Sequence, residues 1–177
     1  MPIENTAAGE LELIVPNLHR RYSGVTATNR MVAPKLAKMF RAGWLGSHRP
    51  DGIDAMGFVD LMRLWRRARP LIWHARRNDE MIAGLALRAL GWPLKLLFTS
   101  AAQRHHTWLT RWLIRNMDAI IATSPLSASY LTREATVVMH GVDTDRYAPP
   151  ADRAAAFAES GLPGRYAIGC FGRVRAQ

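Results

Sequence analysis

The chain has 177 residues, enough for one well-buried domain and short for two, and its 49% hydrophobic and 21% charged content is an ordinary globular balance that argues against disorder. No run of eighteen or more apolar residues is available to cross a bilayer, and the single cysteine, Cys170, excludes an internal disulfide framework and a multi-cysteine zinc site. The net charge of +10 comes almost wholly from arginine, Lys35, Lys38 and Lys95 being the only lysines, and it points to an anionic partner.

In chain order, apolar strands alternate with amphipathic helices. Residues 10–16 read as a strand, followed by a loop through Ser23 and Gly24 and a helix over 25–40. The Gly/Pro/Asp-rich stretch 43–52 has room for a short strand and a turn. Residues 57–68 place Phe58, Leu61 and Trp65 at helical spacing, and Pro70 stops that helix before the strand 71–74. A helix over 78–90, closed by Gly91, leads to the strand 94–99. Then come a helix over 107–117, a strand over 119–123, a short helix over 126–131 and a strand over 136–140. Apolar strands separated by helices imply a doubly wound α/β fold, Rossmann-like, with a parallel sheet covered on both faces. After His140 the texture changes. Residues 147–150 resemble a linker, 151–159 a helix, and 166–173 a new strand ending in Gly172-Arg173. The expected division is a domain over 1–146, then a linker and the start of a second domain over 147–177. A domain ending on its own first strand has no sheet to join, so truncation is expected.

In an open parallel sheet, ligands sit at the carboxyl ends of the strands, where helix N-termini converge. Asn17, His19, Arg20, Ser23 and Gly24 follow the first strand, and His74, Arg76, Arg77 and Asn78 follow the strand 71–74. Ser100, Arg104, His105 and His106 follow 94–99, Ser124 follows 119–123, and His140 ends the last strand. His105 and His106 are a poor metal pair, because adjacent side chains diverge and no third ligand has suitable spacing. No G-x-G-x-x-G, P-loop or G-x-S-x-G signature is present, and the arginines are scattered rather than aligned on one recognition helix.

Two sets of motifs carry a resemblance. Gly141-Val142-Asp143, Tyr147 with the following prolines, and Ile168-Gly169-Cys170-Phe171-Gly172-Arg173 resemble the domain junction of retaining, family-four glycosyltransferases of the GT-B fold, with His140 where those proteins usually have asparagine. The strings 17–26, 73–78 and 99–106 are similar to the lipopolysaccharide core mannosyltransferases of Gram-negative bacteria. The resemblance implies an acceptor-side N-terminal domain and a nucleotide-sugar donor such as GDP-mannose, held mainly by a second domain. It implies that Ser23 and Gly24 approach the donor diphosphate, that Arg173 contacts it beside Gly172, and that His105 or His106 lies near the transferred sugar. Asn17, His19, Arg20, His74, Arg76, Arg77, Asn78 and Ser124 are the substrate-side candidates. No metal or cofactor is implied, arginine and lysine supplying the charge. The family's donor-site lysine and E-x7-E motif fall beyond residue 177, so the chain alone is expected to be inactive. The expected partners are a lipid-linked or lipopolysaccharide-core acceptor and an anionic membrane surface, in the cytoplasm or on the inner face of the inner membrane, with no nucleic acid. The alternative is a non-catalytic basic module that holds an anionic polymer or nucleic acid.

Overall fold

The structure, a computed structural model, describes residues 11–144 and 147–169. Its elements run β1 (Leu13–Asn17), α1 (Gly24–Met39), β2 (Ala42–Gly46), β3 (Asp54–Met56), α2 (Phe58–Arg63), β4 (Leu71–Ala75), α3 (Asn78–Ala89), β5 (Leu94–Ser100), α4 (Trp108–Arg115), β6 (Ala119–Ala122), α5 (Pro125–Ser129), β7 (Thr136–Val137) and α6 (Arg153–Glu159). The seven strands form one sheet in the order β3-β2-β1-β4-β5-β6-β7, and every pair is parallel. This is the expected Rossmann-like α/β architecture.

Both faces of the central strands are buried, which is why β1 reads as an unbroken apolar run. Leu13 and Val15 join Ala33 of α1 and Trp44 of β2 in one cluster, whereas Ile14 points to the opposite face. There it meets the larger cluster, in which Leu61 of α2, Met81 of α3, and Leu113 and Ile114 of α4 close over Trp73, Leu96 and Phe98. The chain leaves β1 in one direction through β2 and β3, then returns to pair β4 on the other side of β1. The carboxyl ends of β1 and β4 therefore flank a topological switch point, where the loops diverge and leave a crevice.

Several expected boundaries move, each for a local reason. The stretch 43–52 holds most of β2 and the turn into β3. The helix expected over 57–68 is only α2, because Leu64, Trp65 and Arg67 donate three residues back rather than four and Arg66 takes φ 59°. The strand expected over 136–140 is reduced to β7, an edge strand paired on one side by β6. In the strand expected over 166–173, residues 166–169 carry no regular element, and 170–173 lie outside the described residues. The chain divides into two compact units, Met1–His140 and Gly141–Gln177. Within the second, Asp152 caps α6 by accepting from the amides of Ala154 and Ala155, and no residue of α6 is buried.

Candidate functional site

The first unit carries a cleft of about 590 Å³ at the carboxyl ends of β4 and β5. Three helix starts border it. Gly24 and Val25 open α1, Asn78 opens α3, and Thr110 lies in the first turn of α4. The loops after β1 and β5 each end in a residue whose side chain caps the following helix. Ser23 accepts from the amide of Thr26 at 3.4 Å, and Thr107 accepts from that of Thr110 at 3.3 Å. The rim therefore gathers the positive ends of the helix dipoles.

One guanidinium ties the rim together. Arg77 donates to Asn17 Oδ1 at 2.9 Å and Glu80 Oε1 at 3.0 Å through Nη1, and to Ser23 Oγ at 2.8 Å and Thr26 Oγ1 at 2.7 Å through Nη2. Glu80 has no exposed surface, and its other oxygen accepts from the Arg76 amide at 2.7 Å. Burial pushes the Glu80 carboxyl above its ordinary range, against the pull of the Arg76 amide and the Arg77 charge. Asn17 is fully buried and donates to the Ser47 carbonyl at 2.8 Å. This network holds the loop after β1 against the start of α3, so the position of Ser23 and Gly24 is set by Arg77.

The expected site residues separate by direction. Gly24, Arg76, Asn78 and His106 line the cleft, together with Ser100, Arg104 and His140. Asn17, Ser23 and Arg77 are turned into the network beneath it. His74 is 6% exposed and bonds Thr99 Oγ1 at 2.7 Å, and burial first, then the Arg76 charge, lowers its pKa to about 3. Ser124 caps α5, accepting from the Ser127 amide at 3.0 Å. These five side chains support the rim and do not face its open side. His19 and Arg20 lie exposed on the loop after β1. The His19 ring accepts from the Arg21 amide at 3.0 Å, and the Arg20 carbonyl meets His48 Nε2 at 2.7 Å. Gly172 and Arg173 lie outside the described residues.

The adjacent histidines diverge. His105 is exposed and meets Tyr130 edge-on, ring centroids 5.1 Å apart, whereas His106 is half-buried and reaches Ser100 Oγ at 3.4 Å. Desolvation, then Arg104, then His105 lowers the His106 pKa, so the ring is neutral at neutral pH and can accept or donate a hydrogen bond in the cleft. The Arg76 guanidinium donates to no described side chain, and burial lowers its pKa while Glu80 raises it. A desolvated cation with unfilled donors is a ready anion contact. A Cβ added at Gly24 would meet nothing within 4 Å, so the fold itself does not require glycine there. Among the described residues no group of three His, Cys, Asp or Glu side chains could hold a metal ion.

Residue-by-residue reading of the strand ends misses Thr28 and Thr110. Both enter the cleft from within helices, Thr28 one turn beyond Gly24 and bonded to its carbonyl at 3.0 Å. The i, i+4 spacing from Gly24 is the signal that would have found Thr28.

Comparison with known proteins gives the cleft its context. The chain is 49% identical over 173 residues to the lipopolysaccharide core biosynthesis mannosyltransferase LpcC of Rhizobium leguminosarum bv. viciae. It is 45% identical over 174 residues to the lipopolysaccharide core biosynthesis mannosyltransferase LpsB of Rhizobium meliloti (strain 1021). The chain is thus similar in sequence to lipopolysaccharide core mannosyltransferases. Each comparison covers 95% of the chain but only 49% and 50% of the relative, so the chain spans about half the length of the curated relatives it matches. No family model matches the chain, and no solved structure matches it.

Proposed function

We propose that this chain is the acceptor-side part of a retaining mannosyltransferase of lipopolysaccharide core assembly, with the cleft of the first unit holding the sugar acceptor. The observation that carries the reading is the 49% identity to LpcC across 95% of a chain whose sheet opens a cleft at the carboxyl ends of β4 and β5. In this reading Arg76 meets an acidic or phosphorylated group of the core acceptor, and neutral His106 with Ser100 hydrogen-bonds hydroxyls beside the transferred sugar. The open approach at Gly24, at the positive end of α1, admits the diphosphate of a nucleotide sugar such as GDP-mannose, which enters as substrate. Hydrogen bonds and a helix dipole aimed at a leaving diphosphate offset its growing charge. No metal or other cofactor is needed in this scheme. The acceptor is lipid-linked, and the basic surface faces the anionic headgroups of the inner membrane.

The test is mannosyl transfer from GDP-mannose to a lipopolysaccharide core acceptor by the complete coding sequence and by its Arg76→Ala and His106→Ala variants. Each substitution is expected to lower kcat/KM by roughly ten- to a thousandfold, the loss of one charged or polar contact to substrate or transition state. Parent-like transfer by both variants would remove this cleft from the reaction. The 177-residue chain alone is expected to give no transfer, and turnover by it would overturn the assignment of the donor site to residues outside it.

A further inference from the structure

We propose that the outer face of α4 is the surface through which the first unit docks on an anionic lipid bilayer. The inference rests on the reading of a lipid-linked acceptor and names the part of the molecule that meets the membrane. The inner face of α4 is committed to the core through Leu113 and Ile114, both almost fully buried. Its outer face carries Trp108, 74% exposed, and Trp112, 52% exposed, one turn apart, with Leu109 beside them. Arg111 and Arg115, also one turn apart and exposed, flank the tryptophans, and neither guanidinium bonds any described residue. Two large indoles left in water on a convex helix are costly, and the same rings are well suited to a headgroup layer, apolar in body and polar at the N–H. Two unpaired arginines beside them, in a chain of net charge +10, select anionic headgroups over neutral ones.

A second exposed apolar face, Phe58, Val59 and Met62 on α2, lacks this charge arrangement. There Arg63 pairs with Asp60 at 3.5 Å, Arg66 lies 4.9 Å over the Trp65 ring, and Arg67 donates to the Leu11 carbonyl at 2.6 Å. Its cations are engaged within the protein, whereas those of α4 are not. α4 starts directly after the loop that carries Arg104 and His106, and Thr110 in its first turn lines the cleft. A bilayer on the outer face of α4 brings a lipid-anchored acceptor to the cleft mouth.

The test is cosedimentation of the chain with vesicles of phosphatidylcholine alone and of phosphatidylcholine mixed with phosphatidylglycerol. The parent is expected to bind only the mixed vesicles, less so as salt rises, with a blue shift of tryptophan emission. Trp108→Ser with Trp112→Ser, and separately Arg111→Gln with Arg115→Gln, should each weaken binding by on the order of tenfold or more. Phe58→Ser with Val59→Ser should leave it unchanged. These are surface positions, and circular dichroism checks that each variant folds. Binding that is equal on neutral vesicles, that survives both α4 pairs, or that is lost in the α2 pair overturns the proposal. Transfer to a water-soluble core oligosaccharide by the complete protein is measured separately, and its failure counts against the mannosyltransferase reading and not against vesicle binding.

Discussion

His74, in β4, and Arg77, at the end of the loop that follows it, sustain the cleft rim in opposite electrostatic states. Arg77 is charged and spends its guanidinium on four acceptors, one of them the wholly buried carboxyl of Glu80. Removing it by Arg77→Ala leaves that carboxyl buried without its cation, a change that costs about 3–5 kcal/mol in comparable pairs. Urea unfolding should report a loss of that size, and Arg77→Lys should recover only part of it, because an ammonium cannot reproduce the planar fork. His74 is neutral because burial opposes its charging. Its folded pKa of about 3 lies below the ordinary value of 6.5, so unfolding takes up a proton at any pH between the two. The contribution is fully present above pH 6.5 and is lost as pH falls toward 3, at up to about 1.4 kcal/mol per pH unit. His74→Gln should therefore match the parent's pH dependence above pH 6.5 and lose less stability below it, as read by denaturant midpoints across that range.

At the scale of elements, α3 shows how closely a helix can be drawn onto the sheet. Gly84 faces β4 and β5, where an added Cβ would stand 2.8 Å from Trp73 Cδ1 and 3.0 Å from Leu96 Cδ2. Trp73 cannot easily yield, because its indole N–H donates to the Glu80 carbonyl at 2.8 Å in the core. On an exposed helix, glycine to alanine gains about 1 kcal/mol of propensity. Here overpacking, typically 1–3 kcal/mol, outweighs that gain. Gly84→Ala is expected to lower the thermal midpoint and Gly84→Val to lower it further. A midpoint raised by Gly84→Ala would show that the helix can move off the sheet at little cost. The end of the same helix was legible from its residues. Gly91 takes φ +102°, the left-handed conformation that closes helices, and Trp92 N donates back to Leu87 O at 3.1 Å. The end of α2 was not legible, because its hydrophobic spacing continues to Trp65 after the backbone has already tightened into turns.

For the molecule as a whole, the sequence alone determined the class and the end of the sheet where ligands would gather. Apolar strands alternating with helices leave a parallel sheet covered on both faces as the way to bury them, and such a sheet exposes its loops and helix starts at the carboxyl ends. The junction and strand-end motifs resemble those of glycosyltransferases, and two lipopolysaccharide core mannosyltransferases are 49% and 45% identical to the chain. What only the tertiary structure decided is which of the gathered polar residues face outward. Asn17, His74 and Arg77 stand in sequence beside Arg76 or at an equivalent strand end, yet their polar atoms are consumed by partners 25 to 60 residues away. His105 and His106 are neighbours in the chain, but one turns to Tyr130 and the other to the cleft. Local pattern records which residue types reach a strand end. Whether a side chain is a support or a contact depends on long-range partners that fill its hydrogen-bonding capacity, and those exist only once the sheet has closed.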